Sequence, residues 1–276
     1  MKSILKITLI TIVVFATKQT NAQFYIGAGL GSYGLYENIP DMFVGNYKGH
    51  ALQAGYVYSF TKNLGIGAGL EYTRFLQTAI ANDDFNYSTF LIDDNNSAFE
   101  YRLKTIGYLE QQKLQSIQIP VFLQYKKLVD NGVHLYARGG IKYMMPQQFT
   151  ASAIATRVEA LGYYPDFNLL ITDLPSRGFG ATEGYRQNGN YNTRNAIMGS
   201  IEFGLSFLVA KKGALYAGIT LSQAARSIIS NDSNQSFIGY NPTNAMDRPL
   251  NGLFSTKTSA EVIPRVMGFT LSFSFE

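Results

Sequence analysis

The sequence predicts an all-β fold: an eight-stranded antiparallel transmembrane β-barrel with short periplasmic turns and four long extracellular loops. Three observations lead there. Apolar residues alternate with small or polar ones in eight stretches. Most of these are about as long as the 9–11 residues that a tilted strand needs to cross a bilayer. The connections between the stretches are short and long in alternation, the layout of an outer-membrane barrel. The chain carries 26 Gly, 19 Tyr and 19 Phe with no Trp and no Cys, so its stability must come from packing, sheet closure or lipid rather than disulfides.

The first stretch, 24–33, sets Phe24, Ile26, Ala28 and Leu30 against Tyr25, Gly27, Gly29 and Gly31. The second, 50–60, places Leu52, Ala54, Tyr56, Tyr58 and Phe60 on one face. The third, 64–75, opposes Leu64, Ile66, Ala68, Leu70 and Tyr72 to Gly65, Gly67, Gly69, Glu71 and Thr73. The fourth, 116–128, carries Ile117, Ile119, Val121, Leu123 and Tyr125 on one face. In the fifth, 133–145, Leu135, Ala137, Ile141 and Tyr143 oppose His134, Tyr136, Arg138 and Lys142. The sixth, 195–210, sets Ile197, Ile201, Phe203, Leu205 and Phe207 against Ser200, Glu202, Gly204 and Ser206. The seventh, 214–222, and the eighth, 265–276, repeat the pattern, the last with Met267, Phe269, Leu271, Phe273 and Phe275 against Gly268, Thr270, Ser272 and Ser274.

The short connections are Thr61-Lys62-Asn63, 129–132 and Lys211-Lys212-Gly213, all of tight-hairpin composition. The long ones are 35–49, 76–115, 146–194 and 223–259. In lipid every backbone N–H and C=O must be paired within the protein, so the apolar faces are expected to point outward. A soluble sandwich or lipocalin-like barrel would turn the same faces inward. It would then leave Gly, Ser and Thr as its solvent surface. Pro120 lies inside the fourth stretch and donates no ladder bond, so a bulge or interrupted pairing is expected there.

Lys2 and Lys6 precede a mostly apolar run at 7–16, and Thr20 and Ala22 are small residues at the −3 and −1 positions of a cut. This predicts a secretory signal peptide at 1–22 and a barrel domain at 23–276, located in the cell outer membrane. Leaving Lys2, Lys6 and Lys18 out of the 23 basic residues gives 20 against 19 acidic ones. The net charge therefore does not argue for nucleic acid, which is not expected as a partner.

The inward faces carry Glu71, Lys126, His134, Arg138, Lys142 and Glu202. A buried charge needs a partner, so Glu71, Arg138, Lys142 and Glu202 are expected to form an interior ion-pair network, with Arg138 against Glu202. His50 opens the second stretch at the outer rim, and Asp41, Asp83 and Asp84 lie in the flanking connections. They form the weak outline of a general-base site. Asp93-Asp94-Asn95-Asn96 lacks the Gly and terminal Glu of a calcium loop. No zinc spacing, phosphate loop or nucleophile motif is present. Neither a catalytic residue nor a cofactor nor a metal is expected.

Ile119, Pro120, Val121, Phe122, Leu123, Tyr125 and Lys126, followed by a short turn and Gly139-Gly140, carry a resemblance. With the Gly-rich first strand and the terminal alternating strand, this order resembles the PorT-like outer-membrane β-barrel proteins of Bacteroidetes. The resemblance covers 23–276. It implies the barrel fold and the outer membrane, and for some relatives assistance to protein secretion. The terminal strand also resembles the signal read by the outer-membrane insertion machinery, although Glu276 follows the last aromatic residue. Expected partners are thus outer-membrane lipid, that machinery, and a protein at the extracellular loops. The expected function is non-enzymatic: scaffold, surface interaction, or accessory to secretion or transport. The alternatives are a lipid- or peptide-modifying enzyme using His50, and a narrow ion channel.

Overall fold

The computed structural model describes residues 22–36, 42–81, 84–210, 213–229, 235–256 and 261–275. The leader expected at 1–22 falls outside them apart from Ala22, as do Asp41, Asp83, Lys211, Lys212 and Glu276. Twelve strands form one sheet: β1 (Ala22–Tyr36), β2 (Met42–Ser59), β3 (Leu64–Ala81), β4 (Asp84–Ile92), β5 (Ala98–Ile106), β6 (Leu109–Asp130), β7 (Val133–Tyr164), β8 (Leu169–Ile171), β9 (Gly180–Asn190), β10 (Ala196–Ala210), β11 (Gly213–Ala224) and β12 (Ile263–Phe275). The strand order is β10-β11-β12-β1-β2-β3-β6-β7-β5-β4, with β8 and β9 paired to β7 and a further pairing of β10 to β7. Every pairing is antiparallel.

The expected eight-stranded barrel with four long loops is therefore corrected to a twelve-stranded sheet. Three of the stretches expected to be loops are β-structure. The 35–49 connection contains the end of β1 and the first part of β2. The 76–115 connection contains the ends of β3 and β6 with the β4–β5 hairpin between them. The 146–194 connection contains the second half of β7 with β8 and β9. Pro146 is no strand stop: Ser116 pairs with Pro146 and Gln115 with Gln148, a bulge that skips Gln147. The bulge moves the buried side of β7 from even to odd positions, so Met144 and then Phe149, Ala151 and Ala153 are buried. Pro120 interrupts pairing in a different way. Pairs of β3 with β6 are missing between Ala68–Val121 and Glu71–Gln118, with no shift of register.

The strand ends that flank the short connections define the turn end. Asn131-Gly132 joins β6 to β7, with Gly132 at φ 78. Asn63 is fixed by its Nδ2 donating to Lys126 O at 2.8 Å. From the turn end up to Leu30, Tyr72, Tyr143 and Met267, the outer face is apolar and exposed. Leu30, Leu70, Leu123, Ile141, Ile201, Phe203, Met267, Phe269 and Leu271 all belong to it. Phe24, Tyr56 and Phe275 cluster near its lower edge. The apolar side is thus the outer one, opposite to a soluble sandwich.

The inner face of these strands is polar or glycine. Gly55 and Gly69 face each other across β2 and β3, and Gly204 and Gly218 across β10 and β11. A Cβ at Gly218 would overlap Tyr136 Oη, and one at Gly69 would lie 2.8 Å from Tyr25 Oη. Each glycine pair is the socket of an inward tyrosine, which explains why the inner face needs residues that small. Past the apolar belt the interior changes character. Tyr33, Phe75, Phe99, Tyr108, Phe149, Phe179, Phe237 and Phe254 join one buried aromatic core. Phe237 and Phe254 come from residues 235–256, which carry a single turn of 3-10 helix at Leu253–Ser255 and one antiparallel bridge, Ile238 to Leu250. Among the described residues no helix is long and apolar enough to cross a membrane, which leaves crossing by strands open.

Candidate functional site

Two buried ion pairs lie on the inner face inside the apolar belt. Period two puts Arg138 and Lys142 on one side of β7, and the register sets Arg138 opposite Glu202 of β10. Arg138 Nη1 donates to Glu202 Oε1 at 3.2 Å, and its Nε donates to Gln124 Oε1 at 2.9 Å. Tyr136 Oη donates to the same Glu202 oxygen at 2.8 Å. Lys142 Nζ donates to Glu71 Oε1 and Oε2 at 3.0 and 2.8 Å, reaching past β6 to β3. All four charged residues are buried, so each pair meets the requirement that a desolvated charge find its opposite.

The layer reaches across the interior. The Arg138 guanidinium lies 5.0–5.4 Å from the ring centroids of Tyr25, Phe122, Tyr136 and Tyr216. Tyr25 on β1 and Tyr216 on β11 are not neighbours of β7 in the sheet, so these cation–π contacts tie separate walls together. Nearer the turn end Lys126 Nζ donates to Gln23 Oε1 at 3.1 Å and to Tyr216 Oη at 2.5 Å. A cavity of about 30 Å³ remains among Gln53, Glu71, Arg138, Lys142 and Glu202. Gln53 Nε2 beside it has no protein partner. Such a space holds about one water.

The other candidates do not converge. His50 stands directly across from Arg74, a cation rather than a carboxylate. Asp84 is 2.7 Å from Lys104 and committed there. Asp93-Asp94-Asn95-Asn96 is the β4–β5 turn: Asp93 Oδ1 accepts from Asn95 N and Ser97 N, both at 2.9 Å. The Ser97 N–H holds the Asp93 carboxyl below its ordinary range. A cavity of about 720 Å³ bordered by Ser32, Tyr47, Ser200, Ser222, Gln223 and Met267 has one charged side chain, Arg265, and no carboxylate or imidazole on its walls. Among the described residues no three potential metal ligands cluster.

Two buried charges escaped the sequence reading because they lie in segments read as loops. Glu110 accepts from Tyr108 Oη and Tyr191 Oη, both at 2.6 Å, from Gln112 Nε2 at 2.8 Å and from Leu253 N at 3.0 Å. Burial, then the Glu110 charge, pushes the Tyr108 hydroxyl well up, so it stays a donor. Arg248 is fully buried and donates to Thr182 Oγ1 at 2.7 Å, Gly180 O at 2.9 Å and Gly178 O at 3.2 Å. Together they fix residues 235–256 to the walls around them. Tyr136 and Gln124 were missed for another reason. They share the inward faces of Arg138 and Lys126, but carry no charge that would announce a need for a partner.

No family model and no curated protein matches the chain. Among solved structures it is similar to Neisserial surface protein A, with 11% identity over 93% of this chain and 97% of that one and a TM-score of 0.38. A major outer membrane protein from Thermus thermophilus gives 12% identity over 92% and 99%, with a TM-score of 0.38. Ail, the attachment invasion locus protein of Yersinia pestis, gives 8% over 94% and 99%, with a TM-score of 0.35.

Proposed function

We propose that this is a non-enzymatic outer-membrane surface protein. On this reading the belt strands cross the bilayer, and the upper strands with residues 235–256 form a folded extracellular platform for interaction. One observation carries the reading: on the same strands, large apolar side chains are exposed while Glu71, Arg138, Lys142 and Glu202 are buried. In water each large apolar side chain left exposed forgoes roughly 1.5–3 kcal/mol. A belt of them would forgo more than the about 5–15 kcal/mol by which a domain is normally stable. Lipid removes that cost. The platform has its own aromatic core, so it presents fixed rather than fluctuating surface.

The resemblance of Ile119 to Lys126 to PorT-like proteins implies assistance to secretion for some relatives, and no residue of this chain carries that role over. The test of the general reading is fractionation together with gel mobility. The protein should sediment with outer membrane, and boiling should shift its migration, because a lipid-embedded sheet resists detergent until heated. Recovery in the periplasmic fraction with unchanged mobility would overturn it.

A further inference from the structure

Just above the apolar belt, the outer face of β2, β3 and β6 carries a patch of one sign. Two rungs define it. His50, Arg74 and Gln115 lie side by side, and next above them Lys48, Leu76 and Lys113. Below lie Leu52, Tyr72 and Ile117, the last row of the belt, where Tyr72 Oη donates to Gln115 Oε1 at 3.0 Å. Lys48 is exposed, and His50, Arg74 and Lys113 are part-exposed. No side-chain hydrogen bond or ion pair among the described residues engages Lys48, Arg74 or Lys113.

Several surface charges farther from the belt are paired. Arg102 pairs with Glu100, Lys104 with Asp84, and Arg157 with both Glu159 and Glu183. Where the apolar surface ends, Lys48, Arg74 and Lys113 have no carboxylate partner among the described residues. Two strand spacings separate Lys48 from Lys113, about 10 Å, a span in which several cations converge on one anionic group. The apolar rows beneath require acyl chains. The ligand must then be an amphiphile: chains on Leu52, Leu70, Ile117 and Ile119, and an anion at the rung of Arg74.

We propose that Lys48, Arg74 and Lys113 bind the phosphate of a phosphorylated lipid headgroup in the leaflet facing the platform. Arg74 suits a planar, bidentate contact, and the two lysines act as flanking point charges. The inference rests on the outer-membrane reading and deepens it by assigning a lipid class to one face.

The test uses the full chain in nanodiscs of phosphatidylcholine with a minor fraction of phosphatidic acid, reading retained lipid by native mass spectrometry. The wild type should retain phosphatidic acid in preference to phosphatidylcholine. Each of Lys48→Gln, Arg74→Gln and Lys113→Gln should lower the preference about fivefold, the worth of one basic side chain near an anionic surface. The control Arg102→Gln/Lys104→Gln should leave it unchanged. Equal retention by wild type and the triple variant would overturn the proposal, as would complete displacement of the lipid by inorganic phosphate, which would make the site one for the free anion. Gel mobility of the same samples separates the two levels. A heat-shifted protein without lipid preference refutes this inference alone, and a protein that neither inserts nor shifts refutes the membrane reading itself.

Discussion

Arg138 and Glu202 occupy facing positions on β7 and β10; the spacing in the sequence gives their shared inward face, not their height. Counting along each strand by twos puts both residues inward, and the stagger of β10 against β7 brings them level. What the counting omits is the rest of the cage, since Gln124 and four aromatic rings also hold the guanidinium, and Tyr136 Oη donates to Glu202. Removing one member of a buried pair costs about 3–5 kcal/mol because the other charge is stranded, whereas replacing both by packed apolar groups is often near neutral. We therefore expect Glu202→Leu and Arg138→Met each to destabilise by about 3 kcal/mol, and the double variant to cost about 2 kcal/mol less than their sum. Urea unfolding in lipid vesicles measures the cycle. Strict additivity would mean that the two side chains are held by their other partners and not by each other.

At the scale of elements, the belt strands were legible and the platform strands were not, although the pattern was present. Residues 98–106 read Ala-Phe-Glu-Tyr-Arg-Leu-Lys-Thr-Ile, with Phe99, Tyr101 and Leu103 buried and Glu100, Arg102 and Lys104 turned outward. The charged face made the stretch look like a loop. Segment 235–256 offers no such period. It is ordered by groups from distant strands, Glu110 accepting from Leu253 N and Arg248 donating to Gly178, Gly180 and Thr182, and no local signal announces them. These bonds involve charged groups, worth about 1.5–3 kcal/mol each when one partner is removed. Glu110→Ala or Arg248→Ala should therefore raise the local opening of 235–256 by about ten- to a hundredfold. Hydrogen exchange at the Leu253 amide and limited proteolysis within the segment read that opening. Unchanged protection would show that aromatic packing by Phe237 and Phe254 holds the segment alone.

For the whole molecule, strand pairing runs from β10 through β12, β1, β3 and β6 to β7, and β7 pairs β10 again. The four strands beyond the expected eight, β4, β5, β8 and β9, all lie in the 76–115 and 146–194 connections, whose polar composition hides them. The path through the interior is obstructed twice. The ion-paired layer leaves a void of about 30 Å³, and the buried residues of 235–256 fill the interior above it. The two obstructions share no hydrogen bond, so each should block ions alone. Planar-bilayer recordings of the wild type should show no single-channel steps. The Arg248→Ala protein should be equally silent, since the lower layer is intact. The triple Arg138→Ala/Glu71→Ala/Lys142→Ala variant should stay silent while 235–256 is seated and leak when Arg248→Ala is added. Current through the wild type would place ion passage within the function. Current through Arg248→Ala alone would show that the charged layer yields to ions and that 235–256 is the seal.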